Sequence, residues 1–125
     1  MTENEIAAII VDEALYIHKT LGPRLFESVY EKVMAYRLEK RGLRIECQRG
    51  ISIVFEDIRL DLGFRADIIV EGKSIIEIKS IELLAPVHRK QLLTYLGLTG
   101  MKLGLLINFN EALIKNGIHR IVNNL

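Results

Sequence analysis

G-F-R-A-D-I-I-V-E-G-K-S-I-I-E-I-K-S, residues Gly63 to Ser80, decides the fold because it places Asp67, Glu77 and Lys79 inside two otherwise apolar strands. Asp67 leads into Ile68, Ile69 and Val70, while Glu77 and Lys79 interleave with Ile75, Ile76 and Ile78. An alternating, β-branched run broken by Glu71-Gly72 reads as strand, turn, strand. Period 2 on the second strand puts Ile75, Glu77 and Lys79 on one face. That face carries a carboxylate beside an ammonium.

Whether Asp67 joins them depends on register, because a slip of one residue moves a side chain to the other face. A Glu71-Gly72-Lys73 loop, with pairing centred on Gly72, sets Asp67 opposite Glu77. A two-residue Glu71-Gly72 loop without a bulge would pair Asp67 with Ile76 and split the group. The first register is expected.

Working outward, Ile6, Ile9, Ile10, Ala14 and Ile17 recur at helical spacing from Asn4 to about Thr20, and Leu21-Gly22-Pro23 ends that helix. A second helix is expected from about Arg24 to Arg41, with Phe26, Val29, Tyr30, Val33 and Met34 on its buried side. Glu27 projects into the same row as Met34 and Leu38. A carboxylate at the edge of an apolar face either snorkels, pairs with a lysine or binds a cation.

Leu43 to Cys47 reads as a short strand, and Ile51 to Phe55 as a clearer one turning at Glu56-Asp57 into Ile58 to Leu62. Gly63 interrupts that pattern before Phe64, so a bulge or bend is expected there. The reading has three antiparallel strands, the last two forming the opening hairpin. Pro86 starts a third helix to about Leu98, on which Gln91 and Tyr95 share a face. Lys102 to Ile107 is a short buried strand, and Asn116-Gly117 suggests a small hairpin in the tail. The fold class is α/β, a mixed sheet with flanking helices.

At 125 residues with 50% hydrophobic and 26% charged side chains, the chain has the size and composition of one globular domain, 1–125. No apolar run approaches a membrane span, the acidic start is unlike a signal peptide, and a cytoplasmic location is expected. Cys47, the single cysteine, permits no internal disulfide, and a buried structural thiol is expected. Net charge is +1, which announces no polyanion partner, although Arg89, Lys90, Lys102, Lys115 and Arg120 outnumber Glu111 after Pro86. His88, Arg89 and Lys90 could contact phosphate or form a solvated first helical turn. His18, near a helix end, is read as structural, His119 and Arg120 as surface, and Tyr16, Tyr30 and Tyr36 as core or core edge.

Two carboxylates within reach of each other, with a lysine two residues along one strand, suit a hard cation that polarises a phosphate. Oxygen donors fit Mg²⁺ or Mn²⁺. Asp67 and Glu77 would hold the ion, Lys79 would orient water or neutralise the transition state, and Glu27 could add a ligand. Taken singly, such a motif is more often a solvated cross-strand charge pair. The isoleucines on both sides of Glu77 and Lys79 argue for covered faces and against that reading.

The spacing Asp67-x9-Glu77-x-Lys79, a helical Glu27 before it and Gln91-x3-Tyr95 after it resemble the PD-(D/E)XK nuclease superfamily. More narrowly, L-G-P-R-L-F-E-S-V-Y-E-K from Leu21, G-F-R-A-D from Gly63, I-E-I-K-S from Ile76 and L-L-I-N-F from Leu105 resemble its small GxxExxY proteins. The likeness runs from about Asn4 to Asn123. It implies a restriction-endonuclease-like core with helices flanking a central mixed sheet. It also implies metal ligands at Asp67 and Glu77, aided by Glu27 and the Ile78 carbonyl, with Lys79 catalytic. Gln91 and Tyr95 resemble the Q-x3-Y helix of RecB-like exonucleases, which contacts substrate or positions the lysine. The chain departs from the family at Arg24, where the first glycine of GxxExxY falls, and at Ala66, which replaces the proline of the superfamily's name.

The implied activity is Mg²⁺- or Mn²⁺-dependent hydrolysis of phosphodiester bonds in a nucleic acid, with DNA expected. A homodimer could assemble a longer groove, and no membrane partner is expected. The rival is a nucleic-acid-binding or protein-interaction module that keeps the fold without turnover.

Overall fold

The computed structural model describes residues 1–125. Helix α1 spans Glu3–Leu21 and is closed at its start by a reciprocal capping box: Thr2 Oγ1 accepts the Glu5 N–H at 3.1 Å, and Glu5 Oε1 accepts the Thr2 N–H at 3.0 Å. Helix α2 spans Glu27–Lys40, three residues later than expected. Arg24 has a φ of 84°, a left-handed conformation that cannot begin a helix. Phe26 and Val29 are exposed rather than buried, so the buried side of α2 is carried by Tyr30, Met34, Ala35 and Leu38.

Strands β1 (Ile45–Gly50), β2 (Ile53–Phe55), β3 (Ile58–Leu60), β4 (Arg65–Val70) and β5 (Ser74–Lys79) follow, then α3 (Pro86–Thr99), β6 (Leu103–Asn108), a 3₁₀ turn at Ile114–Gly117 and β7 (Ile118–Val122). The main sheet has the order β1-β4-β5-β6-β7, with β5 and β6 parallel and the other neighbours antiparallel. The expected mixed sheet is thus present. The strand arrangement differs from the expectation in two places.

First, β2 and β3 do not join that sheet and form a ribbon of their own. β1 is the partner of β4, and the Ile51 N–H bonds the Phe64 carbonyl at 2.8 Å beneath the ribbon. Gly63, at a φ of 79°, bends the chain between Leu60 and Arg65. That bend was expected; its consequence, separation of the ribbon from the sheet, was not. Second, the tail forms no local hairpin: Asn116-Gly117 ends the 3₁₀ turn, and β7 crosses back to pair with β6. A Cβ at Gly117 would collide with the Asn108 carbonyl oxygen, so only glycine permits this approach.

Helices α1 and α2 cover one face of the sheet and α3 the other. Ile6, Ile10, Ile17, Tyr30, Met34 and Leu38 meet Ile68, Ile76, Ile78, Leu105 and Phe109 in the larger core, where Tyr30 stacks on Phe109 at 4.3 Å. Leu92, Tyr95 and Leu96 meet Ala66, Ile69, Ile75 and Leu106 in the smaller. Burial on both faces explains the nearly continuous isoleucine runs of β4 and β5. Glu13, 2% exposed, is held by Arg37 Nε at 3.0 and 3.2 Å and joins α1 to α2. Tyr16 and Tyr36 are exposed rather than core; Arg37 stacks over the Tyr16 ring at 4.6 Å. Cys47 is exposed rather than buried, because β1 is an edge strand and faces solvent. No helix is long and apolar enough to cross a membrane.

Candidate active site at the split between two strands

The β4–β5 hairpin turns through Glu71 and Gly72, both at positive φ, with the Lys73 N–H bonded to the Val70 carbonyl at 3.0 Å. Lys73 adds one residue after that turn. Val70 therefore pairs with Ser74, Ile69 with Ile75 and Ile68 with Ile76, the register centred on Gly72 that the sequence favoured. The next position sets Asp67 against Glu77, and there regular pairing stops.

Side chains replace the ladder at that point. Asp67 Oδ2 accepts the Ile78 N–H at 2.8 Å, and Glu77 Oε2 accepts the Asp67 N–H at 3.1 Å. On the other side of β4, the β1 ladder skips the Gln48–Asp67 position, and Gln48 has a φ of 53°. The backbone is opened on both flanks of Asp67, and its orphaned amides are met by carboxylates.

Glu77 is 4% exposed, and burial together with the adjacent Asp67 carboxyl pushes its pKa up to about 9, against the pull of Lys79. Without a cation its neutral form is favoured at pH 7. Lys79 is half-buried at the end of β5, beside Asn108 of β6.

Glu27 and Tyr95 reach this region from opposite faces. Glu27, the first residue of α2, accepts the Ser80 N–H on Oε2 at 3.2 Å, and Ser80 Oγ donates to the Leu25 carbonyl at 2.6 Å. Tyr95 is buried against Phe64, and burial and the Glu77 carboxyl both raise its phenol pKa. Gln91 is exposed on α3 and makes no hydrogen bond. The structure thus brings Asp67 and Glu77 together, sets Lys79 and Tyr95 where their charges are felt with that of Glu77, holds Glu27 on the Ser80 amide just past β5, and leaves Gln91 outside the polar network.

Three residues join that the sequence reading passed over. Glu31 lies one turn after Glu27, and its Oε1 accepts Gln48 Nε2 at 2.7 Å; the same nitrogen donates to Asp67 Oδ1 at 3.2 Å. Burial raises the Glu31 pKa, the Gln48 bond opposes this, and Asp67 adds to it. The Glu27-x3-Glu31 spacing could have signalled two carboxylates on one helix face, whereas nothing local marks Gln48. Asn108, fully buried, clamps the chain after β5: its Oδ1 accepts the Ile81 N–H at 3.1 Å and its Nδ2 donates to the Ile81 carbonyl at 2.9 Å.

The remaining candidates are occupied elsewhere. His18 Nε2 meets the Glu111 carbonyl at 2.7 Å, in line with a structural role. His88 Nδ1 accepts the Ala85 N–H at 2.9 Å and caps α3, while Arg89 turns to His119 Nδ1 at 2.7 Å.

The donor set suits a hard divalent cation, since it is made of carboxylate oxygens and includes a buried acid whose ionisation calls for a positive partner. Glu27 and Glu31 are engaged by the Ser80 amide and Gln48, and no three acidic, histidine or cysteine side chains are gathered as a ligand group. A family description matches residues 4–121, nearly the whole chain. The chain belongs to the PD-(D/E)XK nuclease superfamily. No curated protein and no solved structure matches it. The mixed five-stranded sheet between helices is consistent with the restriction-endonuclease-like fold of PD-(D/E)XK proteins. Membership supports a nuclease-like function, a nucleic-acid substrate and the divalent metal that PD-(D/E)XK nucleases generally use.

Proposed function

We propose that this PD-(D/E)XK protein hydrolyses phosphodiester bonds in nucleic acid, DNA foremost, with Mg²⁺ or Mn²⁺ held by Asp67 and Glu77. The observation that carries the reading is the split between β4 and β5, where two carboxyls meet and Lys79 follows on the same strand. A divalent cation there supplies Lewis acidity toward a phosphoryl oxygen. Lys79 would neutralise charge developing on the phosphate or orient the attacking water. Glu27, held by the Ser80 amide just past β5, would add a further ligand directly or through water, and Tyr95, buried on the α3 side, would contact substrate or position Lys79. Gln91 is assigned to substrate contact, outside that network.

Membership in the narrower GxxExxY group is part of the proposal. It is supported at Arg24, where the family's first glycine falls: a φ of 84° is a conformation that glycine adopts without cost.

Glu77→Ala is expected to fold and to lose Mg²⁺-dependent cleavage of single- or double-stranded DNA and RNA. Retained cleavage would sink the assignment. A binding module without turnover is the second reading, favoured by Gln48 on Asp67 Oδ1 and by the net charge of +1. Calorimetry with Mg²⁺ or Mn²⁺ separates the two, because only the nuclease needs Asp67-dependent binding of the ion.

A further inference from the structure

Phe26 is the most exposed large hydrophobic residue of the chain, at 82%, and Leu83 follows at 81%. Both stand on segments beside the site: Phe26 immediately precedes Glu27, and Leu83 lies in the connection that leaves β5 after Lys79. Phe26 also occupies the N-cap of α2 without any side-chain hydrogen bond, a position where Ser, Thr, Asp or Asn would satisfy a free amide. It is doubly unfavourable to the isolated protein, in exposure and in capping.

The backbone around it is nevertheless fixed. Tyr30 Oη donates to the Gly22 carbonyl at 2.5 Å and accepts the Leu25 N–H at 3.2 Å. Ser80 holds the Leu25 carbonyl from one side and the Glu27 carboxylate from the other. Phe26 sits between two residues tied to the end of β5, and with Arg24, Glu27, Ser80, Glu82 and Asn110 it lines an open groove of roughly 500 Å³. Arg24 is exposed and belongs to none of the ion pairs, which leaves an unpaired guanidinium in the same groove.

A solvated aromatic ring on a fixed backbone, sharing a groove with an unpaired cation, is the chemistry that receives an unpaired nucleobase and its phosphate. Intact duplex offers that ring no base face. We infer that Phe26 is a stacking platform for an unpaired base next to the scissile phosphate, so that the preferred substrate is single-stranded or frayed nucleic acid. The inference rests on the nuclease reading and deepens it.

The chain has no tryptophan, so Phe26→Trp installs a single indole reporter at the proposed contact. In Ca²⁺ or EDTA, a single-stranded deoxyadenylate oligonucleotide should quench that fluorescence, and a matched duplex should quench it far less. Phe26→Ala should weaken single-strand binding about tenfold or more, leave duplex binding unchanged and leave the fold intact. Phe26→Ser should show the same loss while raising the melting temperature, because it restores a cap. Single-strand binding that is unchanged in Phe26→Ala, or equal quenching by duplex, overturns the stacking role and leaves the nuclease reading standing. A wild-type chain that binds neither strand form overturns both.

Discussion

A glutamic acid that keeps its proton at neutral pH can serve as a ligand only once something pays for its charge, and Glu77 is in that position. Its pKa of about 9 in the folded chain lies above the ordinary 4.5 of the unfolded one. Between those values the folded state holds a proton that the unfolded state has released. Stability contributed by neutral Glu77 is therefore complete below about pH 4.5 and is lost as pH rises through about 9. In EDTA, the melting temperature of the wild type should fall from pH 5 to pH 9 more steeply than that of Glu77→Gln. Mg²⁺ should restore it toward the alkaline end. Parallel curves for the two proteins would show that Glu77 is not held neutral. That Asp67, Glu77 and Lys79 share a face was readable from alternation and the expected register, because β-strand geometry is local, whereas reading them as a site drew on the resemblance. Gln48 and Glu31 were not, since their meeting with Asp67 depends on β1 lying beside β4 and on α2 crossing above, which no short window of sequence records.

At the scale of the elements, the helices were legible from periodicity and punctuation, and their ends moved where backbone conformation intervened, as at Arg24. The strand partners were less so. Residues 51–62 alternate well enough to read as sheet, yet Gly63 diverts them into a ribbon, and β1, weak in pattern, takes the place beside β4. The tail misled because Asn-Gly suits a hairpin turn, while the open edge of β6 offered β7 a better partner. The junction of α1 and α2 rests on the Glu13–Arg37 pair. Glu13 is almost wholly buried, and its second cation, Arg41, is 3.9 Å away. Arg37→Leu is expected to lower stability in urea unfolding by more than the loss of an exposed ion pair would, because it leaves the buried Glu13 carboxylate with Arg41 alone. A loss below 0.5 kcal/mol, the size typical of an exposed pair, would show that Arg41 replaces it.

Taken whole, the molecule is close to electroneutral, with 17 basic side chains against 16 acidic, so net charge alone supplies little attraction to a polyanion and any ionic hold on nucleic acid would be local. The proposed site lies where strand, helix and loop meet at the end of β5, and Asn108, by holding both backbone groups of Ile81, fixes the loop side of that meeting. The interrupted ladder gives this junction a built-in spectroscopic readout. The Asp67 and Ile78 amides, unlike the other amides of β4 and β5, donate to carboxyl oxygens of the site. In a ¹⁵N-correlated NMR titration, these two resonances should shift first when Mg²⁺ is added, ahead of the remaining amides of β4 and β5. They should move again as Glu77 titrates. Indifference of both signals to the cation would place its binding elsewhere. Two amides freed from sheet pairing thus let cation occupancy and protonation be followed separately, in solution and without a substrate.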